Sequence, residues 1–183
     1  MTAEHLKQAR AGFDSRLEKL AIGGNRLTGE GLNVLRQIST LRDLDVSGTQ
    51  RVDSGLWGLS LTEENLARIG ALKQLRRLNL AAATISDRGV DRPGHPEAER
   101  SDLRDLLALR GLVELEYLDL SRQPVSAATL QSIVSLPRLT TLRLGLCKKI
   151  DDSAVDVLVG MKSLRAVYTV GTQVSEAGRK RLP

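Results

Sequence analysis

One apolar pattern, Leu-x-x-Leu-x-Leu, recurs along this chain in six copies that can be laid on one another. It reads Leu17, Leu20, Ile22; Leu41, Leu44, Val46; Leu75, Leu78, Leu80; Leu115, Leu118, Leu120; Leu139, Leu142, Leu144; and, more weakly, Leu164, Val167, Thr169. The last two apolar positions of each copy are two residues apart, the period that puts side chains on one face of a short strand. After each strand the period changes. Apolar residues follow an anchor at 5, 8, 11 and 14 positions: Leu32, Leu35, Ile38 and Leu41 after Leu27, Leu130, Ile133, Leu136 and Leu139 after Val125, and Val155, Leu158, Met161 and Leu164 after Ile150. Residues three apart line one face of a short helix. A Ser, Thr or Asp directly after the anchor (Thr28, Thr62, Ser126, Asp151, Ser175) can accept from the free N–H groups of a first helical turn.

Each unit therefore reads as strand, turn, helix and return. Alone it cannot bury its apolar faces; stacked units cover one another, with a parallel sheet on a concave side and helices on a convex side. The expected class is an α/β solenoid of about six repeats in a single domain, residues 1–183. Residues 1–16 place Leu6 and Phe13 at helical spacing before Leu17 and read as an N-terminal capping helix. Residues 17–173 hold the repeats, and 174–183, with Arg179 where an apolar residue is expected, read as a C-terminal cap.

Composition agrees with an aliphatic core. Aromatic residues make up 2% of the chain, with Phe13, Trp57, Tyr117 and Tyr168 the whole set. The single cysteine, Cys147, cannot form an internal disulfide, no N-terminal stretch has a signal-peptide core, and no apolar run approaches the roughly 20 residues of a membrane helix. A monomeric cytoplasmic protein with no membrane association is the expectation. The formal charge is +5, but acidic and basic residues alternate without a long basic block.

The repeats resemble leucine-rich repeats. More narrowly, LTTLRLGLCKKID from Leu139 to Asp151 is similar to the cysteine-containing subclass, in which LxxLxLxxC precedes an Ile-Thr-Asp or Val-Ser-Asp helix start. That subclass is common in substrate receptors of F-box ubiquitin ligases and also occurs in bacterial proteins. The resemblance spans Leu17 to about Gly178 and implies a non-catalytic protein that binds a protein partner through its concave face. An F-box would need a sizeable helical segment ahead of the repeats, so an adaptor role requires another subunit or a longer chain. Cys147 occupies the ninth motif position, where Asn25, Thr49, Ala83, Gln123 and Thr172 stand in the other copies. A polar or small side chain there can satisfy backbone groups in the turn.

Departures from regularity point to function. Strands start 24, 34, 40, 24 and 25 residues apart, so the second and third units carry insertions, at 47–60 and 86–100. Both lie between strand and helix and emerge on one rim. The first holds Trp57, which favours interface cores; the second holds His95 between Gly94 and Pro96. Trp57 packed into the solenoid edge and a tolerated charged insertion are the alternatives.

Residues alternating with the motif leucines should face the concave side: Lys19 and Ala21, Asp43 and Asp45, Arg77 and Asn79, Tyr117 and Asp119, Thr141 and Arg143, Ala166 and Tyr168. Arg77, Asn79, Tyr117, Asp119, Arg143, Tyr168, Asp45, Trp57 and His95 are the candidate partner-binding residues. His5 and His95 are the only histidines, so no Cys-His, Ser-His or two-histidine metal spacing is supported, and GGNRLTGEG at Gly23 to Gly31 lacks the Lys-Ser/Thr of a phosphate loop. No catalytic, metal or cofactor site is expected. Two other readings stay open: binding of an acidic polymer, nucleic acid or anionic surface, through Arg76, Arg77, Arg143, Lys148, Lys149 and Arg179 to Arg181, and an effector or immunity-type protein acting on a host or toxin target.

Overall fold

In a computed structural model the residues described are 17–25, 29–51, 55–57, 62–83 and 106–183, with the backbone alone described over 49–51 and 55–57. The expected capping helix at 1–16, the helix-start residue Thr28, and the 86–100 insertion with His95 lie outside them. Six three-residue strands form one parallel sheet in the order β1 (Lys19–Ala21), β2 (Asp43–Asp45), β5 (Arg77–Asn79), β6 (Tyr117–Asp119), β7 (Thr141–Arg143), β8 (Ala166–Tyr168). Their register is the register of the motif. Leu20, Leu44, Leu78, Leu118, Leu142 and Val167 pair in one row, flanked by the rows Lys19 to Ala166 and Ala21 to Tyr168.

Convex elements follow each strand: α1 (Gly29–Leu35), α2 (Glu63–Gly70), a 3-10 segment (Leu107–Gly111), α3 (Ala127–Gln131), α4 (Ser153–Gly160) and α5 (Glu176–Arg181). Their inner faces and the turns that follow them carry the three-spaced residues. Leu32, Leu35, Leu66, Ile69, Leu109, Leu130, Ile133, Val155 and Leu158 are all buried, together with the motif leucines from Leu41 to Leu164. Each such leucine contributes roughly 1.5–3 kcal/mol of burial. In the third unit Leu106, Leu109, Leu112 and Leu115 keep the three-residue spacing of the other units, which fits α or 3-10 geometry, and here a 3-10 helix forms. Close stacking there requires Gly70, because a Cβ on it would meet the Ala108 carbonyl oxygen at 1.9 Å.

Helix starts largely match expectation. Thr62 Oγ1 accepts from Asn65 N–H at 3.1 Å, Ser126 forms a capping box with Thr129, and Ser175 Oγ accepts from Gly178 N–H at 3.0 Å. The start expected at Asp151 differs by one residue. Helix α4 begins at Ser153 with Asp152 in the cap position, while Asp151 Oδ1 accepts from Ser153 N–H two residues on. Asp152 is drawn away by the next repeat, its Oδ1 accepting from Ser175 N–H at 2.8 Å.

The turn after each strand is also a repeated object. Gly24, Ala82, Arg122, Leu146 and Gly171 all have positive φ, from 51° to 74°, one position before the ninth motif residue. Only two are glycine, so the other three hold a left-handed conformation that costs on the order of 1 kcal/mol each and persists because the stack fixes it. Four of the N–H groups extend the ladder past the strands, from Gly24 to Ser47 O, Ala82 to Ser121 O, Arg122 to Gly145 O and Leu146 to Val170 O. The second repeat breaks the pattern: at its ninth position, Thr49, the chain enters an antiparallel hairpin of β3 (Thr49–Arg51) and β4 (Gly55–Trp57). The first insertion is thus partly strand, and Trp57 lies on β4, paired with Thr49.

Candidate functional site

The concave face is built by the two rows that flank the leucines. In the first, Asp43, Arg77 and Tyr117 stand side by side on β2, β5 and β6; in the second, Asp119, Arg143 and Tyr168 do so on β6, β7 and β8. Arg77 Nε lies 3.4 Å from Asp43 Oδ2, and its Cζ lies 4.1 Å from the Tyr117 ring centroid. The second group repeats this arrangement: Arg143 Nε lies 3.3 Å from Asp119 Oδ2, with its Cζ 4.9 Å from the Tyr168 centroid. The groups are joined by the Tyr117 hydroxyl, which donates to Asp119 Oδ2 at 3.4 Å. Burial, and then the negative charge of Asp119, push the Tyr117 phenol above its ordinary pKa.

The last strand residue has a second task. Asp45, Asn79 and Asp119 each turn one oxygen onto the N–H two residues ahead, Ser47, Ala81 and Ser121, at 2.9, 3.0 and 2.8 Å. The other side of each group faces its neighbours: Asn79 Nδ2 donates to Asp45 Oδ2 at 3.0 Å. Asp119, 8% exposed, is therefore less a contact residue than a mount for Arg143 and the following turn. Tyr168, 47% exposed, and the two arginines are the accessible groups. The candidates Asp45, Arg77, Asn79, Tyr117, Asp119, Arg143 and Tyr168 thus share one continuous surface. Trp57 is placed in backbone only, on the hairpin that follows β2. The Arg-on-Tyr stacking was not read from the sequence, although the parallel register alone would have set Arg77 beside Tyr117 and Arg143 beside Tyr168.

Cys147 is fully buried, and its thiol donates to the Leu120 carbonyl of the preceding repeat at 3.1 Å. Burial pushes its pKa up to about 11, so it is a neutral thiol at physiological pH and a poor nucleophile. The equivalent Gln123 reaches the preceding repeat in the same way, donating to Leu80 O at 2.7 Å and Ala83 O at 3.0 Å. Asn25 and Thr172 instead bond within their own turns, to Ile22 O and Thr169 O. At Asn25, Gln123, Cys147 and Thr172 the ninth-position side chain serves the backbone.

No protein-family model matches the chain, and no curated protein matches it. Solved structures do. The plant peptide hormone receptor RGFR1 in complex with RGF2 matches with a TM-score of 0.52 at 17% identity, covering 100% of this chain and 25% of the receptor chain. The fold is a leucine-rich repeat solenoid. An internalin (inlF) from Listeria monocytogenes str. 4b F2365 matches at 18% identity and TM-score 0.48, covering 100% of this chain and 55% of that one. Internalin C2 (inlC2) from the same strain matches at 19% identity and TM-score 0.40, covering 96% and 77%. The chain spans about half the length of the first internalin and a quarter of the receptor. At these identities the likeness is one of fold alone. Among the described residues no helix is long and apolar enough to cross a membrane.

Proposed function

We propose that this leucine-rich repeat chain is a non-catalytic scaffold that captures a protein partner on its concave face, beside the rim formed by the 47–60 and 86–100 insertions. The observation that carries the reading is the joined cluster Asp43, Arg77, Tyr117, Asp119, Arg143 and Tyr168. Arginine and tyrosine dominate binding energy at interfaces, and here their geometry is set before any partner arrives. A purely structural role is the weaker explanation, because Arg77 and Arg143 keep 53% and 46% of their side-chain surface exposed and Tyr168 is 47% exposed. The plant peptide hormone receptor RGFR1, a quarter of whose chain matches this fold, was solved in complex with RGF2 and lends support to the reading. We also propose that the repeats are of the cysteine-containing subclass; Cys147 at the ninth position, bonding into the preceding repeat, supports this.

The test is affinity capture from native lysate followed by mass spectrometry, comparing the parent with Arg143→Ala/Tyr168→Ala and with a chain lacking 86–100. Loss of a reproducible partner with the double variant, at an unchanged melting temperature, is the expected result. Retention of every partner removes the concave face from the reading. Binding to an acidic polymer has less support: Asp43, Asp45 and Asp119 lie on the same face as Arg77 and Arg143, and Arg76 and Arg181 each lie within 4.0 Å of a carboxylate.

A further inference from the structure

The concave face contains the same three-residue constellation twice. Asp43, Arg77 and Tyr117 sit in register on three consecutive strands of the sheet, and so do Asp119, Arg143 and Tyr168. In both, the strand before the arginine supplies a carboxylate near Nε, at 3.4 and 3.3 Å, and the strand after it supplies an aromatic face, at 4.1 and 4.9 Å. The arginine side chains nonetheless keep 53% and 46% of their surface exposed. A guanidinium is a rigid planar fork that meets a carboxylate through two parallel N–H bonds. With Nε beside an aspartate and Cζ over a tyrosine ring, we take the Nη nitrogens as the part that meets an incoming acceptor. The rotamer freedom that an arginine normally loses on binding is already restricted.

We infer that the two arginines form a paired carboxylate receptor, and that the partner presents an acidic peptide segment with two matched side chains. This rests on the scaffold reading above and narrows its ligand. Arg77 on β5 and Arg143 on β7 are two strands apart, about 10 Å, and offset by two residues along the strand direction, about 7 Å, so their Cα atoms are separated by roughly 12 Å. An extended peptide advances about 3.3 Å per residue with alternating faces. Its glutamates at i and i+4 then share a side and span about 13 Å, whereas i and i+2 fall near 7 Å. Nucleic acid fits less well: Asp43, Asp45 and Asp119 lie on the same face, and a continuous line of phosphates cannot avoid them as two isolated carboxylates can.

The probes are short fluorescent peptides carrying two glutamates at i,i+2, i,i+4 or i,i+6 in a Gly/Ser/Leu background, their Gln counterparts, and a single-stranded oligonucleotide competitor. Polarisation should show tightest binding at i,i+4, no binding of the Gln peptide, and little competition by the oligonucleotide. Arg77→Lys and Arg143→Lys keep the charge and replace only the fork. Each should weaken binding roughly tenfold, the equivalent of one pairing interaction, at an unchanged melting temperature. Equal binding of Glu and Gln peptides, no dependence on spacing, no binding of any diacidic peptide, full binding by both Lys variants, or ready displacement by the oligonucleotide each overturns the inference. Captured native partner that is lost with Arg143→Ala/Tyr168→Ala but kept by both Lys variants overturns it while leaving the scaffold reading in place. Capture indifferent to all these variants overturns both.

Discussion

The two sides of a single strand make the sharpest contrast in this molecule. On β6, Leu118 points into the stack and is fully buried, while Tyr117 and Asp119, one residue either way, face the concave side. The inner side is chemically uniform from repeat to repeat, and the outer side changes at every strand. A buried face is fixed by the need to exclude water, so a side chain that leaves a gap or an unpaired polar group there is penalised at once. An outer face is constrained only by its neighbours, which leaves room for selection by a partner. The difference teaches where in a solenoid to look for specificity.

The contrast can be broken first at its core side. Leu118→Ala should cost roughly 2–5 kcal/mol, seen as a large fall in the midpoint of urea unfolding; a loss under 1 kcal/mol would mean the stack collapses readily around the gap. Asp119→Ala comes next, since this residue belongs to both sides. Losing the acceptor for Ser121 N–H and the mount for Arg143 should cost about 1–3 kcal/mol, and Asp119→Asn, which keeps the acceptor, should recover part of it.

Cys147 tests the turn between the two faces. Its folded pKa, raised from 9.0 to about 11, favours the neutral thiol in the folded state. The linkage contribution is therefore intact below about pH 9 and is lost as pH climbs from 9 to 11. Melting temperature should drop over that window more steeply in the parent than in Cys147→Ala, and native protein at pH 8 should resist thiol-specific labelling until unfolded. The smallest effect is expected on the outer side: Tyr168→Ala should change stability by no more than about 1 kcal/mol. A larger loss would show that the edge ring is holding the last repeat rather than waiting for a ligand.

Much of this organisation was legible in the chain. Period-two leucines gave the strands, the alternating residues gave the concave rows in their observed register, and the ninth position gave the turn-supporting side chains. The reading was weaker where one local signal could be met in two ways. Two adjacent aspartates, Asp151 and Asp152, can each start a helix, and the demand of Ser175 N–H in the next repeat separated their roles. The three-spaced leucines at 106–115 fit α or 3-10 geometry, and packing on Gly70 accompanied the tighter form. The first insertion had turn residues and no clear alternation, so its hairpin was not read.

The sequence by itself determined the repeat, its register and the identity of every side chain on each face, because burial of a leucine ladder admits one alternation and no slip. Only the tertiary structure decided that Asp119 is a buried mount while Arg143 and Tyr168 stay accessible, and that two arginines lie against two tyrosines. Those contacts join residues on different strands, 24 to 40 positions apart in the chain, and their distances depend on how the repeats stack, which no local pattern encodes.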